Sequence, residues 1–153
     1  MLDALTIVET QARPAAVIKL KIPKAEIAKV MGPAMQELMA LIPSGAITPT
    51  GPIFSHHFKT EPASWEFEVG IPVTGTVKGA GRVVAGSLPA KRVIRTIYRG
   101  GYEQLGAAWG EFTELVKARS QPTTGEFWEI YLTGPETDPD PKRWTTELAM
   151  VLA

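Results

Sequence analysis

One pattern runs through this chain twice: an apolar strand, an amphipathic helix, then two further strands. In the first pass Ala15-Ala16-Val17-Ile18-Lys19-Leu20-Lys21-Ile22 leads into a helix predicted over Glu26 to Leu41. Its apolar residues, Ile27, Val30, Met31, Met35, Leu38, Leu41 and Ile42, recur at three- and four-residue steps. Strands are expected at Ile53 to Phe58 and at Trp65 to Val73. In the latter Trp65, Phe67, Val69 and Ile71 face one way, and Glu66 and Glu68 the other. In the second pass the strand around Val93, Ile94 and Ile97 precedes a helix from Tyr102 to Arg119. That helix carries Leu105, Ala108, Trp109, Phe112, Leu115 and Val116 on one stripe. The strand Phe127 to Leu132 and a final strand, Thr145 to Leu152, follow.

The passes align at an offset near 74 or 75 positions. Arg13-Pro14-Ala15 falls on Leu88-Pro89-Ala90, and Gly51-Pro52-Ile53-Phe54 falls on Gly125-Glu126-Phe127-Trp128. The chain therefore reads as an α+β fold made of duplicated β-α-β-β units, with repeats at about 1–75 and 80–153 inside one domain of 153 residues. The half-sheets are antiparallel. One helix per half covers one sheet face, which leaves the other face for a ligand cleft along the pseudo-twofold axis. Three local expectations accompany this reading. Thr6 to Val8 continues past Pro14 as a single first strand, Gly32-Pro33 breaks or kinks the first helix, and the glycines from Gly75 to Gly86 form a connector.

Composition removes whole classes of function. Sixteen basic and sixteen acidic residues cancel, so the chain lacks the basic footprint that direct nucleic-acid binding requires. There is no cysteine, which excludes disulfides, thiolate metal sites and cysteine nucleophiles. No apolar stretch approaches the roughly 20 residues that span a bilayer, so no membrane partner is expected. Met1 to Glu9 carries two acids and no basic start, so no secretory signal is read and the expected location is cytoplasmic. His56 and His57 are adjacent on a strand and face opposite ways, so they cannot share a metal. The glycines between Gly75 and Gly86 match neither a P-loop nor a dinucleotide fingerprint. No metal and no cofactor is implied.

Chemistry concentrates on Phe127-Trp128-Glu129-Ile130-Tyr131-Leu132. Phe127, Glu129 and Tyr131 share one face of the strand, while Trp128, Ile130 and Leu132 form the core face. A carboxylate framed by aromatic rings is a cradle for a lipophilic or cationic small molecule. The same carboxylate is the candidate catalytic group, a general base or acid. Glu68, beside Glu66, is a second carboxylate expected in the cleft. Tyr102 and Trp109, seven positions apart on the second helix, present rings on one face, and Trp144 either covers the cleft or packs on the edge of the fold. Ser55 occupies the position in the first pass that Glu129 holds in the second.

Leu88-Pro89-Ala90, Tyr98-Arg99-Gly100-Gly101-Tyr102-Glu103-Gln104-Leu105, Trp109, Trp128-Glu129-Ile130-Tyr131-Leu132-Thr133-Gly134-Pro135 and Thr146-Glu147-Leu148 occur in an order that resembles the GyrI-like family. Phe67-Glu68-Val69-Gly70-Ile71-Pro72-Val73 is similar to the family's strand before the duplication point. This family is the effector-binding domain attached to AraC-type and MerR-type activators. The resemblance implies two SHS2-like modules and a central cleft taking lipophilic, often cationic molecules, with Glu129 in the cleft and Tyr131 beside it. It implies sensing or sequestration of such molecules, with a separate regulator protein or a second copy of the chain as partner. Two alternatives come with it: a small-molecule hydrolase whose cleft glutamate activates water, and a protein inhibitor of a topoisomerase. The chain departs from the family at Ala149, where an aromatic is common, and it has no room for a helix-turn-helix module.

Overall fold

The computed structural model describes residues 2–60, 64–75, 77–78, 81–135 and 137–153. In chain order the elements are β1 (Thr6–Glu9), β2 (Arg13–Ile22), α1 (Ile27–Ala40), β3 (Thr48–Pro49), β4 (Phe54–Thr60), β5 (Trp65–Thr74) and β6 (Val83–Leu88). They continue with β7 (Arg92–Arg99), α2 (Leu105–Ala118), β8 (Thr123–Thr133) and β9 (Thr145–Leu152). The fold is mixed α+β, with antiparallel pairing and two helices. The chain divides into two compact units, Gln11–Ala90 and Met1–Thr10 with Lys91–Ala153.

In the unit Gln11–Ala90 the strand order is β4-β5-β2-β6, with β3 on β5, every pair antiparallel. The face of β2 and β5 that carries Ile18, Leu20, Phe67, Val69 and Ile71 packs against Ala34 and Leu38 of α1. Ile27, Val30, Met31, Met35, Leu41 and Ile42 flank that contact, so the predicted helical stripe and the predicted strand face meet as expected. Gly32-Pro33 does not break the helix, which runs through Pro33 over its 14 residues. Proline removes one backbone donor and crowds the preceding turn, and burial of Ala34 and Leu38 on either side of the stripe holds the helix through it.

Two other expectations change. The segment from Thr6 to Ile22 is two strands in different units: β1 pairs with β7, and β2 pairs with β5 and β6. The glycine-bearing stretch is only partly connector, because Val83–Leu88 forms β6 on β2; residues 76, 79 and 80 of the expected connector lie outside the described residues.

Gly70 shows how tightly this sheet is built. A Cβ there would stand 2.6 Å from Phe54 Cζ, 2.9 Å from Val17 Cγ1 and 3.1 Å from the Ala16 carbonyl. Phe54 and Val17 are both fully buried, so neither can swing into solvent. Gly70→Ala is expected to lower stability by about 1–3 kcal/mol through overpacking, read as a drop in the urea midpoint. An unchanged midpoint would show that this side of the sheet has slack.

In the other unit the order is β1-β7-β9-β8, again antiparallel. Ala108, Phe112 and Val116 of α2 pack on Ile94 and Tyr98 of β7 and on Leu148 and Leu152 of β9. Leu115, placed on the helical stripe by periodicity, is 39% exposed. The unit Gln11–Ala90 runs β2, α1, β3, β4, β5, β6 and the other runs β1, β7, α2, β8, β9, and the helices open at Ile27 and Leu105, farther apart than a constant 74 or 75 positions. The loop lengths differ between the units.

Candidate functional site

The site begins with the alternation of β8. Phe127, Glu129 and Tyr131 stand opposite Met150, Leu148 and Thr146 of β9. Leu148 belongs to the core under α2, so this is the helix side of the sheet. The expectation of a carboxylate on the face away from the helices is therefore corrected for this unit. The physical reason is coverage: the buried residues of α2 lie over β7 and β9. At β8 the helix contributes Trp109, and the contact becomes polar. Of the opposite face, Trp128 is buried as expected, Ile130 is half-buried and Leu132 is exposed.

Both carboxylate oxygens of Glu129 are engaged. Trp109 Nε1 donates to Oε2 at 2.5 Å, and the Tyr131 hydroxyl donates to Oε1 at 2.6 Å. The first bond comes from the helix and the second from two residues along the same strand. Together they fix the plane and position of the carboxylate. Trp109 in turn leans on Phe127, with centroids 4.8 Å apart at 61°, and on Phe112, 5.7 Å away.

A second layer of rings extends from Tyr131. Tyr102 meets it edge-on at 5.9 Å and lies 5.1 Å from Trp144. Trp144 is held by its indole N–H, which donates to the Asp138 carbonyl at 2.7 Å. The turn that presents Tyr102 is anchored from below: the buried Tyr98 donates its hydroxyl to the Gly101 carbonyl at 2.8 Å. Gly100 adopts φ +149°, and a Cβ there would sit 2.6 Å from the Tyr98 hydroxyl, so glycine at position 100 is a requirement of this anchor. Phe127, Trp109, Glu129, Tyr131 and Tyr102 thus form one chain of contacts, and Trp144 joins it through Tyr102.

Glu68 belongs to the other unit. It lies on β5 opposite Lys19 of β2 and His56 of β4, on the sheet face away from α1. It is 9% exposed. Burial pushes its carboxyl above the ordinary value, with the charge of Lys19 pulling the other way.

Ser55 and His57 share the α1 side of β4, opposite Val69 and Phe67. The Ser55 position thus matches Glu129 in facing its own unit's helix, without the charge. His57 Nε2 lies 3.1 Å from Ser55 Oγ, and its ring stacks on Phe67 at 4.8 Å and 14°. Burial, with the neighbouring His56 adding to it, pushes His57 down to about 3. Among the described residues no three His, Asp or Glu side chains gather as a metal site, and no helix is long and apolar enough to cross a membrane.

This combination of antiparallel sheet, two helices and an aromatic-lined carboxylate is that of a small-molecule-binding domain. The chain belongs to the GyrI-like small molecule binding domain family, whose model matches residues 4–152. Its structure is similar to the C-terminal domain of EcmrR, at a TM-score of 0.79 and 20% identity over 98% of this chain and 97% of that one. It is similar to EcmrR in its DNA complex (TM-score 0.78, 20% identity, 97% of this chain), and spans 57% of that longer chain. SAV2435, bound to tetraphenylphosphonium, gives a TM-score of 0.73 at 12% identity over 99% of this chain and 94% of that one. At these identities the likeness is one of fold. No functionally curated protein matches the chain.

Proposed function

We propose that the Glu129 cluster binds lipophilic, aromatic cations, and that the protein, acting as one domain over 1–153, senses or sequesters them. The observation that carries this reading is the double hydrogen bond from Trp109 and Tyr131 onto Glu129, set among Phe127, Tyr102 and Trp144. A carboxylate oriented by the protein's own donors meets an incoming cation without reorganising, and the rings supply area and cation–π attraction. The tetraphenylphosphonium held by SAV2435 is a ligand of this chemistry on a similar fold. An indole N–H only donates, so Trp109 positions the carboxylate and cannot relay a proton from it.

The test is titration calorimetry with tetraphenylphosphonium. Glu129→Gln keeps the shape and removes the charge, and affinity is expected to fall by about 10- to 100-fold, the worth of one close opposite charge to a cation in a partly buried site. Equal affinity in the variant and the parent would remove Glu129 from the recognition of cations. Sensing further implies a regulator or a second copy as the partner that reads the bound state.

A further inference from the structure

The unit Gln11–Ala90 carries a second recess, separate in its residues from the Glu129 cluster. Lys19 and Lys21 of β2, Glu66 and Glu68 of β5 and Phe58 of β4 line a cavity of about 370 Å³. That is near the lower end of small-molecule sites, with room for one ring and a short polar head. Its inner charge is Glu68, 9% exposed, to which no described residue donates a hydrogen bond and with which none forms an ion pair. Burial raises the Glu68 carboxyl more than the charge of Lys19 lowers it, so a ligand that supplies a further cation stabilises the carboxylate.

The rim has the opposite sign. Lys19 stands directly across from Glu68, and Lys21 across from Glu66, and both lysines are exposed. Phe58 is 39% exposed, its ring 4.2 Å from that of the buried His56. Opposite charges one strand apart, beside an exposed ring, select for a molecule that carries both charges close together. A lone amine would meet the lysines, and a lone acid would meet Glu68.

We propose that this recess binds an aromatic α-amino acid as its zwitterion: the ammonium on Glu68, the carboxylate on Lys19 and Lys21, and the ring on Phe58. Its lining residues are not those of the Glu129 cluster, and it does not rest on the function proposed for that cluster. The test is a ¹H–¹⁵N NMR titration of the whole chain with L-phenylalanine, with phenethylamine and phenylacetate as single-charge analogues. L-Phenylalanine is expected to shift the amides of Lys19, Phe58 and Glu68 to saturation, and each analogue to bind at least about 10-fold more weakly.

Glu68→Gln is expected to weaken L-phenylalanine by a similar factor, and Glu129→Gln to leave it unchanged. Lys19→Met, at an exposed position, repeats the test on a side chain the fold does not need. Absence of shifts with L-phenylalanine overturns the proposal. So does a response that survives both Glu68→Gln and Lys19→Met, or phenethylamine binding as tightly as the amino acid.

Discussion

Acidifying the protein from pH 7 to pH 4 is expected to remove about 3 kcal/mol of stability through His57 alone. The imidazole is 4% exposed, stacked on Phe67 and beside Trp65 and Ser55. In the folded chain it takes a proton only near pH 3, against an ordinary value of 6.5. Between those limits the unfolded chain binds a proton that the folded chain refuses. Stability from His57 is therefore complete above about pH 6.5 and is lost progressively as pH falls toward 3. Glu68 has the opposite sign: its raised folded value means that its contribution is present below 4.5 and fades as pH rises through the folded value. It cannot produce an acid limb. Urea midpoints at pH 7 and pH 4 read the effect, and His57→Leu should flatten the difference whatever it does to absolute stability. A parent protein equally stable at both values would mean that His57 is reached by water.

The strands and helices were legible because their apolar periods are strong. The face of Trp65, Phe67, Val69 and Ile71 and the stripe of Ile27, Val30, Met31, Met35 and Leu38 meet in one core. Thr145 to Leu152 is β9 to the residue. What failed was nonlocal. Nothing in Thr6 to Val8 says that this strand pairs with β7 rather than extending β2, since an edge strand is chosen by a partner more than 80 positions away. β6 was hidden because Ala85 and Gly86 interrupt its apolar run, while its pairing with β2 is backbone chemistry that any residues supply.

The candidate site was legible in its members and misread in its orientation. Alternation alone puts Phe127, Glu129 and Tyr131 on one side, and the helical repeat puts Tyr102 and Trp109 on another common side. Alternation cannot say which side of a strand a helix covers. Trp128 looked like the core residue of β8 and is indeed buried, yet the helix lies on the other side. The informative signal was Trp109 itself, a side chain that is apolar except for one donor. An indole on a half-buried helix position needs an acceptor, and Glu129 is that acceptor. Glu68 lies on the face of β5 away from α1: a charged residue in an alternating strand marks a face but not the site to which that face belongs.

Phe112→Ala tests whether the site depends on the core behind it. Phe112 is fully buried at the centre of the α2 cluster, and its ring supports Trp109 from 5.7 Å. Truncating such a residue costs about 3–5 kcal/mol through lost burial and the cavity left behind, against a total stability of about 5–15 kcal/mol for a domain. Leu115→Ala, one turn on but 39% exposed, should stay within about 0.5 kcal/mol. The contrast separates packing from helix propensity, because both changes place alanine in the same helix. A further consequence follows for binding. With Phe112 gone, Trp109 loses one of its two ring contacts, and its indole N–H no longer has a fixed aim at Glu129. Tetraphenylphosphonium affinity should therefore drop in Phe112→Ala at a temperature where the variant remains folded, and Phe112→Leu should restore part of both stability and affinity. If affinity is untouched while stability falls by the expected amount, Tyr131 alone holds the carboxylate, and the helix contributes to the fold but not to recognition.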